Sequence, residues 1–353
     1  MHVHPLVISF LAGLMVTACS AQGVTPSGAA PAAASFSQSD NLSNRSKPYL
    51  YVGNDSSITV YVFGTSKPFR KFKHYYCADQ LTFDPTGDLY VLCGAIDAGT
   101  IVEYASGTAN VLRSFNGEGV PSIAVDNEGF LYIAGGASVF VYPPQGQRLW
   151  HTIRRDTGAG PSSLLSGPNG DLYIGQPHGV TVFGPGTPGK PKFIREVHSN
   201  VKGPIAFALS AAGDLFVANC FSCLGYLGGG RDTVTVYSPS GSEVRKIHKG
   251  VRAPETLAVD AAGRLYVANV PVTDRGFRHG WISVYARGAT IPLRKITEGI
   301  DVPLSMAVDP DGKLYVANYG GGSVTVYSPG GMRLLQTITD GVKYPRSVAI
   351  SNY

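Results

Sequence analysis

The chain has 353 residues, 44% hydrophobic and only 15% charged, enough apolar surface for a large core in one unit or several. Its net charge of +5 comes from 29 basic and 24 acidic residues with no Lys/Arg run, which excludes a nucleic-acid footprint. The 44 Gly and 24 Pro recur periodically, so they punctuate turns and do not mark a disordered chain.

The chain opens on an export signal. Leu6 to Val16 (LVISFLAGLMV) has the length of a secretory apolar region and is too short to span a bilayer. Val16-Thr17-Ala18-Cys19 then resembles the bacterial lipobox, in which the cysteine becomes the lipidated first residue of the mature protein. His2 and His4 stand where Lys or Arg is usual, so an ordinary signal peptide with Cys19 incidental is the alternative. Ser20 lacks the inner-membrane retention Asp of Gram-negative families, which implies an outer-membrane or cell-surface location. The expected organisation is a signal peptide over 1–18, a lipid-anchored tether over 19–46 and a folded domain over 47–353. The tether is Ala, Ser, Pro and Gly with almost nothing to pack, so its composition predicts flexibility.

From Pro48 onward one phrase repeats: an apolar strand, an Asp-x-x-Gly turn, then Leu-Tyr-Val-Ala-Asn. The fullest copies are LAVDAAGRLYVAN (257–269) and MAVDPDGKLYVAN (306–318), with weaker ones at 81–92, 123–134, 164–175 and 207–219. A third strand follows each (IVEY, VFVY, VTVF, VTVY, ISVY, VTVY), and then a fourth, more basic one such as EVRKI or PLRKI. Each unit thus reads as a four-stranded antiparallel meander. The second strands begin at Leu50, Leu89, Leu131, Leu172, Leu215, Leu265 and Leu314, spaced by 39, 42, 41, 43, 50 and 49 residues. That spacing predicts an all-β, seven-bladed β-propeller, with six blades the alternative if one copy is false. The first unit has no first strand, and the chain ends on an unpaired one, Ser347–Ser351. The two ends are expected to close one blade between them.

The phrase resembles the NHL-repeat, streptogramin-lyase-like and SMP-30-like group of propellers over about 47–353. That resemblance implies a closed ring. In the families it resembles, the lyases use a His and Glu set around a metal and the lactonases acidic and Asn ligands, so the resemblance implies a site of one of these kinds. No His-x-Glu-x-His analogue is present. Glu255 with Asn219 or Asn269, helped by His178 or His279, is the set that could imitate a divalent-metal site, although no cofactor is expected.

Repetition assigns other residues to structure. Asn54, Asn219, Asn269 and Asn318 end second strands and are expected to bond turns. Asp84, Asp126, Asp260 and Asp309 share one hairpin position. Arg70, Lys71, Lys73, Arg245, Lys246, Arg294 and Lys295 on fourth strands are read as edge protection. Four cysteines besides Cys19 predict the disulfides Cys77–Cys93 and Cys220–Cys223.

The loops after second strands and between blades must share one face. Two of them, 220–233 and 270–281, run to fourteen and twelve residues where three blades use three. Such excursions on adjacent blades point to a working face. The residue before each first strand lies near the channel mouth, and three of the seven are charged: Asp79, Glu255 and Arg346. The expected ligand-binding set is therefore Asp79, Tyr226, Arg231, Glu255, Phe277, Arg278, His279, Trp281 and Arg346. Arg346 is read either as an anion holder or as the partner of the two acids, and the loop aromatics either as a stacking wall or as packing for the loops. No catalytic motif appears. The expected function is a monomeric, non-catalytic envelope scaffold binding a protein, peptide or glycan. A metal-dependent lyase or lactonase at the channel mouth is the alternative.

Overall fold

The near-continuous apolar run Leu-Tyr-Val-Ala of each second strand puts apolar side chains on both faces of its sheet, so both faces must be covered. The computed structural model describes residues 25–26, 48–73, 77–93, 99–117, 119–154, 160–220, 231–273, 276–277 and 279–351. They form seven four-stranded antiparallel blades, numbered here in chain order. The first strands of blades 2 to 7 are Gln80–Phe83, Ile123–Val125, Ser163–Ser166, Pro204–Leu209, Pro254–Val259 and Pro303–Val308. The one 3-10 turn among the described residues, Pro329–Gly331, is their sole helical element.

Both ends of the chain build blade 1. Ser347–Ser351 pairs with Tyr49–Gly53 in register, Gly53 opposite Ser347 and Tyr49 opposite Ser351. The seven first strands then touch one another in a closed circle around the axis. Seven blades stand, and six are excluded. The core follows the same plan, as seven apolar wedges each filled by two adjacent blades. Phe216 and Val236 of blade 5 pack with Leu257 and Val267 of blade 6, and Ala317 and Val324 of blade 7 with Leu50 and Tyr61 of blade 1. No blade could bury its faces alone, so the ring is the unit of stability.

Polar side chains repeat as strictly as the apolar ones. Each of the four second-strand asparagines accepts, through Oδ1, the backbone N–H of a residue in the loop arriving from the previous blade: Lys343, Lys202, Arg252 and Asp301, at 2.8–3.2 Å. The Nδ2 of each turns inward to its own blade, as Asn219 does to Val217 and Thr235. A tyrosine of the third strand ties the same loop further back, Tyr285 donating to Lys249 O at 2.6 Å and Tyr237 to Ser199 O. Hairpin aspartates hold their own turns, as expected: Asp309 Oδ1 accepts the N–H of Lys313, and Asp260 that of Arg264.

Blade 2 departs from the template twice. Cys93 occupies the asparagine position, and its disulfide to Cys77, with Cα atoms 5.0 Å apart, ties the incoming loop covalently. Cys220 is also disulfide-bonded; its partner and Cys223 lie outside the described residues. Glu103, buried, replaces the valine found in every other third strand (Val60, Val141, Val182, Val236, Val284, Val326). It pairs with buried Arg113, which also donates to Tyr90 and to Pro143 O of blade 3. Burial raises the Glu103 pKa against the pull of Arg113.

The basic fourth strands differ from the expectation of pure edge protection. Lys71, Lys246 and Lys295 are exposed, but Arg70, Arg245 and Arg294 are half-buried, and Arg245 lies over the Phe216 ring at 5.8 Å. The pleat explains this, because alternate residues of an edge strand face inward along the blade. Within the expected tether, Thr25–Pro26 lies as a short fifth strand beside Val111–Gly117.

Candidate binding face at the channel mouth

The seven residues preceding the in-register part of the first strands ring one end of the axis: Arg346, Asp79, Pro121, Ser162, Ile205, Glu255 and Leu304 from blades 1 to 7. In blades 5, 6 and 7 the pairing skips one residue at this point. Pro254 faces Asn269 and Thr256 faces Ala268, leaving Glu255 as the bulged residue, and Ile205 and Leu304 are bulged likewise. A bulge frees a side chain from the pleat and re-aims it. Three adjacent bulges thus present an acid between two aliphatic residues.

Glu255 is half-buried by accessible area because it borders the axial opening, yet protein surrounds it deeply. A narrow opening hydrates a carboxylate poorly. Burial alone pushes its pKa up to about 7. Among the described residues no cation and no hydrogen-bond donor meets this carboxylate.

Arg346 behaves in the opposite way. Its Nε donates to Asp55 at 2.5 Å and its Nη1 to Asp79 at 2.9 Å, and its guanidinium lies 5.3 Å from the Tyr319 ring. Burial works against the charge, but the two aspartates outweigh it and hold the pKa above the ordinary arginine range. Of the two acids considered as its partners, Arg346 pairs with Asp79 and not with Glu255, and Asp55 takes the second place. Asp55, which sequence reasoning missed, was signalled only by its place directly after a repeated asparagine.

Both long loops end against the loops leading into the next blade. Asp232, buried, accepts the Ala253 N–H at 2.7 Å, two residues before Glu255. The His279 carbonyl accepts the N–H of Val302, two residues before Leu304. The two excursions are therefore anchored on either side of Glu255. Exposed His279 also meets Asp301 at 3.0 Å, and Arg231 is exposed. Trp281 packs onto its own blade, donating to Ser283 Oγ at 3.1 Å with Lys295 over its ring at 4.2 Å. Phe277 falls in a short strand with Val272, and nothing is described of its side chain. Tyr226 and Arg278 lie outside the described residues.

Two of the suggested metal donors are already engaged. Asn219 and Asn269 spend both amide atoms on backbone and hydroxyl groups, and Ile205 and Leu304 beside Glu255 have no donors. Elsewhere, Cys77 and Cys93 near Asp79 are consumed by their disulfide, and Glu103 near Asp84 and Asp88 is taken by Arg113. A cleft of about 430 Å³ opens on the opposite face beside Phe83, Val125 and Ile350. Its acids, Asp84 and Asp126, hold their own hairpins. The mouth is the better candidate.

No protein-family model matches the chain, and no curated protein matches it. Solved structures do. A protein from Lactobacillus plantarum aligns with a TM-score of 0.69 at 17% identity, covering 86% of this chain and 99% of its own. A candidate 6-phosphogluconolactonase from Bacteroides uniformis gives 0.67 at 16%, covering 87% and 100%. The periplasmic gluconolactonase of Pseudomonas aeruginosa gives 0.63 at 17%, covering 86% and 99%. Likeness at such identity is likeness of fold, and the class it marks is the seven-bladed β-propeller.

Proposed function

We propose that this chain is a non-catalytic binding propeller of the cell envelope, taking a protein, peptide or glycan at its channel mouth through the quadrant between loops 220–233 and 270–281. The observation that carries this reading is Glu255, an unpaired carboxylate turned out of the pleat between two anchored long loops. Export fits the Cys77–Cys93 disulfide, and the lipobox at Cys19 supplies the anchor. A Cys19→Ala chain that stays with membranes and a wild type free of lipid label would each sink the anchor.

Screening peptide and glycan arrays with the wild type, and with a variant whose two loops are cut to three-residue turns, tests the face. The trimmed protein should keep its fold and lose its ligand. Retention of ligand by the trimmed protein, with loss on substituting the opposite hairpin face, would reverse the assignment. A metal-dependent lactonase or lyase remains the second reading, since Glu255 is the group it would need. A stoichiometric divalent ion in purified wild type, lost in Glu255→Gln, would put that reading first.

A further inference from the structure

A second surface lies on the outer rim, between blades 3 and 4, away from the channel. The outermost strand of blade 3, His151–Arg154, pairs on one side only, with Ser138–Tyr142. Blade 4 stands beside it as a wall because its third and fourth strands, Gly179–Thr187 and Lys190–Val197, run to nine and eight residues where the matching strands of blade 5 have five each. Between them runs a groove of about 490 Å³, floored by His151–Arg154 and faced by Phe183 and Phe193. The two rings meet edge to face at 6.0 Å, and Phe193 keeps 49% of its surface exposed.

Two features equip this edge for an added strand. At the position where blades 1, 5 and 6 carry Lys71, Lys246 and Lys295 on their outer strands, blade 3 has the uncharged Thr152, as blade 7 has Thr337. Around the groove the exposed charges among the described residues are positive: Arg154 at its end, Lys192 next to Phe193 in sequence, and Lys190, whose ammonium sits 5.7 Å from the Trp150 ring. The acid on the wall strand, Glu196, already meets His198 at 2.8 Å.

We infer that this groove takes an acidic peptide segment in extended form, added as a fifth strand to blade 3. The open edge of His151–Arg154 supplies main-chain hydrogen bonds, and every second side chain of the peptide enters the Phe183–Phe193 wall. The alternate, acidic side chains face the other way and meet Arg154 on the blade 3 edge, while Lys190 and Lys192 of blade 4 add a longer-range attraction for the negative peptide. A flat anionic bilayer could reach the exposed lysines, but it offers no main-chain groups to pair with the His151–Arg154 edge. The inference concerns a surface apart from the channel mouth and stands or falls separately from it.

The test uses the full chain and a fluorescent ten-residue peptide alternating glutamate with valine. Three controls accompany it: lysine in place of glutamate, N-methylation at alternate residues, and vesicles rich in phosphatidylglycerol. The acidic peptide should bind, weaken as salt rises, and lose at least about tenfold affinity with Arg154→Glu/Lys192→Glu. The lysine and N-methylated peptides should not bind. Absence of acidic-peptide binding up to about 1 mM, equal binding of the lysine form, or indifference to N-methylation would overturn the proposal. Vesicle binding that depends on Arg154 and Lys192 while the peptide fails would assign the surface to lipid instead.

Discussion

Cys77 and Cys93 close a disulfide at the place where four other blades set an asparagine against the incoming loop. Blade 2 thus performs covalently what blades 1, 5, 6 and 7 perform with one side-chain amide, since both devices pin the crossing between blades to the end of a second strand.

That equivalence predicts a rescue. Removing the bond with Cys77→Ala/Cys93→Ser should cost about 3 kcal/mol, the value for a loop of this size. Cys77→Ala/Cys93→Asn should recover part of the loss, about 1 kcal/mol, because Thr100 stands opposite position 93 as Thr233 stands opposite Asn219. Denaturant melts of the two variants decide it. Equal stability would mean that the positions correspond in sequence but not in work.

Glu255 predicts a pH dependence. Its folded pKa of about 7 exceeds the ordinary 4.5, so the folded state holds this proton more tightly than the unfolded chain. The stability it contributes is whole below about pH 4.5 and is lost as pH rises through about 7, by roughly 3 kcal/mol at most. Glu255→Gln should flatten that part of the stability profile and leave the alkaline side no worse. A profile unchanged by the substitution would show that the carboxylate is solvated.

Arg346 should matter to the fold more than to a ligand. A double-mutant cycle with Arg346→Leu and Asp79→Asn should return a coupling of about 1–2 kcal/mol, above the usual exposed pair because the arginine side chain keeps only 10% of its surface. Leucine suits the site, since Leu304 fills the matching place in blade 7. Coupling below about 0.3 kcal/mol, with binding lost instead, would restore Arg346 as a ligand group.

The architecture was legible because repetition multiplies weak signals. Seven leucines at blade spacing, Asn54 and its three equivalents, and the orphan strand at Ser347 each agreed with the others. Pairings between unlike residues were harder to read. Arg346 meets Asp55 across 291 residues of sequence, and only ring closure brings them together. The bulge at Glu255 has no signature in residue type, since the same template accepts Ile205 and Leu304. Glu103 could have been found, for it breaks a column of six valines.

The seam of the ring carries a consequence in time. Blade 1 takes its innermost strand from Ser347–Ser351, so a polypeptide emerging in order can stack six and three-quarter blades and still present an open inner edge. Folding to the closed state waits for Ser351. Until Ser347–Ser351 arrives, the inner edge of Tyr49–Gly53 stays bare, a template for wrong pairing that only ring closure removes.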